Sequence, residues 1–198
     1  MADEKTVRAF LAVDLPREIK DEIGAVQERL KQDLEGIRWT RPEGIHLTLK
    51  FFGDIQPSRI DEIADVVAGR TTDVAPLSFS LGTMGAFPHL ERPRVLWIGL
   101  DGDIKRLATL QRALEKDLDG VGFKSEKRSF TPHLTLGRAR SSRGIIIGFR
   151  EKIAERRVVS GGTFTASGLT LFRSELKPGG AVYTRLRDFS FDAPVMGG

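Results

Sequence analysis

Two histidines carry the chemistry this sequence is equipped to do. The tetrapeptide His-Leu-Thr-Leu occurs at His46–Leu49 and again at His133–Leu136, and the two copies use two of the chain's three histidines. Imidazole is the side chain whose unperturbed pKa, about 6.5, lets it give or take a proton near neutrality. Two imidazoles in the same local setting point to an acid and a base placed on either side of one substrate. Each copy also carries a hydroxyl, Thr48 or Thr135. Successive side chains of a strand point to opposite faces. His46 and Thr48 therefore share a face, with Lys50 and Phe52 beyond them, while Ile45, Leu47, Leu49 and Phe51 take the core face. His133 and Thr135 share a face in the same way, opposite Leu134 and Leu136. His89 matches neither copy and reads as a surface-loop histidine.

Other chemistries lack their residues. The chain has no cysteine, which removes thiol nucleophiles, disulfides and thiolate-bound metal. Two histidines are too few for a zinc site, and no acidic residue follows either at ligand spacing, so neither metal nor other cofactor is expected. There is no G-x-S-x-G nucleophile elbow and no P-loop. What remains is metal-free acid–base chemistry with two imidazoles and two hydroxyls, which suits phosphodiester cleavage. A neutral His takes a proton from water, a charged His gives one to the leaving oxygen, and the hydroxyls donate to phosphoryl oxygens.

The elements that position these groups follow from apolar spacing. Residues 7–13 read as a strand. Pro16 opens a helix with Ile19, Ile23, Val26 and Leu30 on one face, closed by Gly36. Residues 38–40 read as a short strand, and residues 45–52 as a strong strand ended by Gly53. Ser58 caps a second helix. Residues 77–84 and 94–100 read as strands flanking a loop at 85–93. Asp103 begins a third helix with Leu107, Leu110, Leu114 and Leu118 on one face. After the basic loop 124–128 come the strand 133–136, a short helix at 148–154, and strands at 163–172 and 182–191 joined by a turn at 177–180. The order of elements around the motif appears roughly twice. The expected fold is α+β, a duplicated unit filling residues 1–198 as one domain. Two mainly antiparallel sheets face each other across a central cleft with helices outside.

With 198 residues, 40% hydrophobic and 29% charged, the chain has the balance of a soluble globular protein. No run approaches the roughly 18 apolar residues of a membrane span. Acidic residues precede the first apolar stretch, the wrong order for a signal peptide, and this favours a cytoplasmic protein. The net charge of +4 is compatible with a polyanionic partner.

The chain resembles the two-histidine (2H) phosphoesterase superfamily, defined by two H-x-[ST]-x motifs, and within it the LigT-like RNA 2′,3′-cyclic phosphodiesterases, once called 2′-5′ RNA ligases. RAFLAVDLPREIKDEI is similar to that family's opening strand and helix, HLTLKFFGDI to its first motif and TPHLTLGRAR to its second. RVLWIGL and LFRSELKPGGAVYTRL are similar to further family segments. The resemblance implies a bilobal fold with pseudo-twofold symmetry, the motifs facing across a central groove, and hydrolysis of RNA 2′,3′-cyclic phosphate ends to 2′-phosphates; a closed bilobal fold makes a monomer the default. The resemblance makes His46 the proton donor and His133 the acceptor, a choice the residues alone do not make. Thr48 and Thr135 match the motif hydroxyls, and Arg138 matches an arginine after the second motif that clamps phosphate. Strict alternation puts Arg138 with the leucines, and a bulge at Gly137 would turn it into the groove. In the first copy Phe51 holds Arg138's place and Lys50 holds Gly137's, so the half-sites are unequal. Lys50 meets RNA phosphate in this reading, and Phe52 or Phe87 stacks on a base. Lys124, Lys127, Arg128, Arg140 and Arg143 form a basic rim. The competing functions are reversible 2′-5′ joining of RNA and non-catalytic binding of RNA ends.

Overall fold

Three amphipathic helices and one antiparallel sheet account for most of the buried surface. The computed structural model describes residues 6–140, 149–155, 162–178 and 180–192. In chain order the elements are β1 (Val7–Asp14), α1 (Arg17–Lys31), β2 (Ile37–Trp39), β3 (His46–Ile55), α2 (Ile60–Thr71), β4 (Leu77–Phe87), β5 (Val95–Gly102), α3 (Ile104–Gly120), β6 (His133–Ala139), α4 (Phe149–Glu155), β7 (Thr163–Ala166), β8 (Gly168–Lys177) and β9 (Gly180–Ser190).

The apolar stripes do what their spacing predicts. Ile19, Ile23, Val26 and Leu30 of α1 are buried, as are Leu107, Leu110, Leu114 and Leu118 of α3. They join Leu11, Val13, Leu47, Leu49, Leu134 and Leu136 of the sheet in one continuous core. Ile23 and Leu107 have no exposed surface. Truncating either to alanine removes a side chain that cannot be replaced by water, a loss of about 2–5 kcal/mol. The helices thus cover one face of the sheet. On the other face lies a smaller cluster, Phe10, Ala12 and Phe172, with Tyr183 packed against it.

The sheet differs from the expected pair of sheets. Its ladder is one path of antiparallel strands, β7-β4-β5-β6-β3-β1-β8-β9, with β2 paired to β6. The two motif strands, β6 and β3, touch through one residue pair, Leu47 with Leu134. The expected strand 163–172 is split at Ser167. Its first part pairs with β4 and its second with β1, at opposite ends of the sheet. β4 continues through Gly85 to Phe87, where a loop was expected, because the Trp97 indole lies over Gly85. A β-carbon there would stand 2.3 Å from the Trp97 ring. β3 continues past Gly53 to Ile55, with a register shift between Ala9 and Phe10 of its partner β1 absorbing the irregularity. Ser58 lies in a short 3-10 turn (Pro57–Arg59) ahead of α2 and does not cap it. Gly148 and Gly179, from the expected short helix and hairpin turn, lie outside the described residues.

Candidate active site

Cross-strand partners fix which side chains share the open face. In β1 and β3, Asp14 pairs with His46, Ala12 with Thr48 and Phe10 with Phe51, whereas Val13 pairs with Leu47 and Leu11 with Lys50. Leu49 is the extra residue of a β-bulge. Past it, alternation resumes one position out of phase. This overturns the expectation that Lys50 and Phe52 continue the histidine face. The Lys50 side chain is 2% exposed, and its Nζ donates to Glu115 Oε2 at 2.7 Å and to the Lys124 carbonyl at 2.9 Å. Phe52 packs edge-on to Phe123 in the core. Phe51 turns outward instead and is 54% exposed.

The same device recurs in β6. Gly99 pairs with His133, Trp97 with Thr135 and Val95 with Arg138, while Leu136 is the extra residue. The bulge expected beside Gly137 is present, and Arg138 shares the His133 face. Glycine is required at 137 because β2 runs hard against it. A β-carbon there would meet Ile37 Cγ2 at 2.6 Å and the Arg38 carbonyl at 3.0 Å. Since Leu47 pairs with Leu134, continuing that antiparallel register sets His46 opposite Thr135 and Thr48 opposite His133.

Both rings are held alike. His46 Nδ1 donates to the Gly44 carbonyl at 2.8 Å, and His133 Nδ1 donates to the Thr131 carbonyl at 2.7 Å. A carbonyl only accepts, so each Nδ1 carries the hydrogen, and Nε2 is left for chemistry. Among the described residues, neither threonine hydroxyl nor the Arg138 guanidinium is spent on a protein hydrogen bond.

The surroundings differ. His46 sits in a ring nest, stacked on Phe10 at 4.5 Å between centroids and met edge-on by Tyr183 at 5.1 Å. Burial dominates and pushes its pKa down to about 4. The Gly44 hydrogen bond and the Asp14 carboxylate pull the other way, while Lys20 and His133 add to the lowering. Asp14 is itself half-buried, which works against its charge. Lys20 at 2.7 Å and Arg185 outweigh this and hold its carboxyl below the usual value. His133 is met edge-on by Phe87 at 4.9 Å. Burial also lowers its pKa, the Thr131 hydrogen bond opposes this, and the Arg138 charge lowers it further.

A cavity of about 770 Å³ opens beside His133, its walls including Thr48, Phe51, Phe130, Arg92, Arg94 and Arg138. Of the expected rim, Arg128 reaches this cavity, Lys124, Lys127 and Arg140 are exposed, and Arg143 lies outside the described residues. His89 is exposed, 3.1 Å from Glu91, and lines the cavity mouth. Sequence reasoning missed Arg92, Arg94, Phe10, Asp14 and Tyr183. Tyr183 alone left a signal, as the chain's single tyrosine.

One antiparallel sheet, helices on one face and two His-x-Thr pairs meeting on the other, is the arrangement of a two-histidine phosphoesterase. Residues 13–97 and 98–183 each match the LigT-like phosphoesterase family, and the chain belongs to that family. It is 36% identical to the RNA 2′,3′-cyclic phosphodiesterase of Methanothermobacter thermautotrophicus over 187 residues, which is 92% of this chain and 98% of that one. It is 32% identical to the protein of the same name from Methanocaldococcus jannaschii, over 92% of this chain and 100% of that one. The solved structure of E. coli LigT complexed with 3′-AMP superposes with a TM-score of 0.74 at 25% identity, covering 94% of this chain and 99% of that one. No helix among the described residues is long and apolar enough to cross a membrane.

Proposed function

We propose that the protein hydrolyses RNA 2′,3′-cyclic phosphate ends to 2′-phosphomonoesters. The observation that carries this is the matched pair of imidazoles, each with Nδ1 tied to a backbone carbonyl two residues upstream and Nε2 left for the groove. The relatives named for this activity, and the 3′-AMP held by E. coli LigT, support it.

In this mechanism His133 Nε2 takes a proton from water, whose oxygen attacks phosphorus. His46 Nε2 protonates the departing 3′ oxygen. Thr48 and Thr135 donate to the nonbridging oxygens and Arg138 clamps them. One charge beside each ring favours its role, although Lys20 and His133 work against Asp14 at His46. Asp14 pulls His46 toward protonation, and Arg138 pushes His133 toward neutrality. Burial keeps both rings mostly uncharged in the empty groove, and an anionic phosphate between them raises both pKa values. The cavity beside His133 takes the terminal nucleotide, with Phe51, in place of Phe52, and Phe87 as the aromatics available for stacking. Arg92, Arg94 and Arg128 meet phosphates farther along the strand.

The chain forms one duplicated, bilobal unit in this reading. The two family matches, the bulge repeated after each His-x-Thr and the single β3–β6 residue pair support that.

The test is a short RNA with a 2′,3′-cyclic end, incubated in EDTA with wild type, His46→Ala and His133→Ala. Wild type should release a 2′-phosphate end, and each variant should lose roughly 10²–10⁴-fold in kcat. Turnover that needs a divalent ion, or survives in either variant, defeats the mechanism.

A further inference from the structure

Two buried glutamines have no assigned role in the mechanism above, although Gln111 reaches the wall of the cavity beside His133. Gln27 is 1% exposed and Gln111 is 6% exposed, each on the apolar face of a helix. Gln27 Nε2 donates to the carbonyls of Leu136 and Thr40, both at 2.8 Å. Gln111 Nε2 donates to the Leu49 carbonyl at 3.3 Å and to Glu115 Oε1 at 3.2 Å. All four partners only accept, so the orientation of each amide is fixed by chemistry. Leu136 and Leu49 are the extra residues of the two bulges.

The arrangement is crossed. Gln27 lies on α1, in the first half of the sequence, and holds the bulge of the second motif. Gln111 lies on α3, in the second half, and holds the bulge of the first. Both sit in the same local pattern, Val26-Gln27 with Leu30 and Leu110-Gln111 with Leu114. A bulge breaks the regular ladder, and its backbone groups must find other partners; the Leu136 carbonyl accepts from the Thr40 N–H at 2.8 Å as well as from Gln27. In both strands the bulge decides which residue follows the histidine and threonine onto the open face.

We propose that Gln27 and Gln111 are reciprocal positioning residues. Each reaches from the helix of one half to hold the bulge carbonyl of the other half's histidine strand. Gln27 thereby fixes the aim of Arg138, and Gln111 that of Phe51. The functional part of this rests on the substrate reading given above.

The test is a pair of double-mutant cycles with an RNA 2′,3′-cyclic phosphate substrate, on variants that keep one cooperative thermal transition. Gln27→Met removes the donors at nearly constant volume. It should lower kcat/KM roughly ten- to a hundredfold. In an Arg138→Ala background the same change should cost less than about twofold, and in a Phe51→Ala background it should keep its full effect. Gln111→Met should show the opposite pattern. A purely structural glutamine would lower the melting temperature and give the same fold-loss in both backgrounds, which overturns the proposal. So does a folded Gln27→Met or Gln111→Met with wild-type kcat/KM. If Gln27→Met does not fold, the isosteric Gln27→Glu takes its place in the same cycle, and additivity there overturns the proposal equally. If Arg138→Ala itself turns over like wild type, the failure lies in the clamp assigned to Arg138 and not in the bracing.

Discussion

The two histidine strands share a backbone and differ in what surrounds it. Each has His-x-Thr on the open face, leucines behind, a bulge, and one outward residue after the bulge. The first strand ends that run with Phe51 and sets its histidine among Phe10, Phe172 and Tyr183, next to Asp14. The second ends with Arg138 and sets its histidine beside Gly99, at the mouth of a cavity lined by arginines. A repeated backbone supplies the reach, and unrepeated neighbours give the two imidazoles the unequal settings that the proposed donor and acceptor roles call for.

Lys50 tests where that comparison stops. At Gly137 the second strand leaves room for β2, whereas Lys50, in the matching place, is tied into an ion pair with Glu115 beneath the sheet. Lys50→Met strands a carboxylate whose side chain is only 12% exposed. It should destabilise the fold by about 3–5 kcal/mol. Denaturant unfolding should show that loss while KM for the cyclic end stays near wild type. A raised KM with unchanged stability would return Lys50 to the substrate.

The outward residues should separate next. Arg138→Ala removes a charge-assisted contact of about 1.5–3 kcal/mol, with a matching rise in KM for any cyclic phosphate end. Phe51→Ala removes stacking of about 1–3 kcal/mol, and its cost should change with the terminal base. Steady-state kinetics on four RNAs differing in the last base distinguish them. Base-independent losses in both variants would erase the contrast between the strands.

Acidity sharpens it further. The folded pKa of His46 is about 4 and that of His133 is also lowered, both below the unfolded value of 6.5. The unfolded chain therefore binds more protons in this window, so stability is full above pH 6.5 and falls as pH drops toward 4. Melting temperatures between pH 7 and 4.5 should fall more steeply for wild type than for His46→Phe. In the pH–rate profiles, kcat/KM reports the empty site and kcat the occupied one. The kcat optimum should lie at the more alkaline pH, because bound phosphate raises both histidines. Coincident optima would mean the phosphate does not sit between them.

The smallest effect belongs to the cavity rim. Replacing Arg92, Arg94 and Arg128 by glutamine should leave a mononucleotide 2′,3′-cyclic phosphate turning over as in wild type. It should weaken an oligonucleotide severalfold and flatten its salt dependence. Equal losses on both substrates would move these arginines to the reacting phosphate.

Much of this site was legible because local rules governed it. Alternation placed His46, Thr48, His133 and Thr135 on one face and the leucines on the other. Gly137 flagged a bulge or the close approach of another backbone, the usual reasons for a glycine within a strand, and both hold there. The matching bulge at Leu49 carried no such flag. Lysine is an unremarkable strand residue, and it is the pull of Glu115, far along the chain, that draws Lys50 beneath the sheet. The error with Phe52 followed from that one missed residue. The ring nest was not legible either, because Phe10, Phe172 and Tyr183 meet through strand pairings that span most of the sequence. Neither Asp14 nor the two glutamines carried a signal that local spacing could read.

The C-terminal hairpin has a consequence for synthesis. β1 is flanked by β3 on one side and by β8 on the other, and Phe172 and Tyr183 come from β8 and β9. His46 is made in the first quarter of the chain, yet its ring has no finished environment until the last strands have left the ribosome and docked. Of the two motif histidines, the one translated first is completed last, so a nascent chain stalled before β8 carries both motifs and an unfinished ring nest around the first.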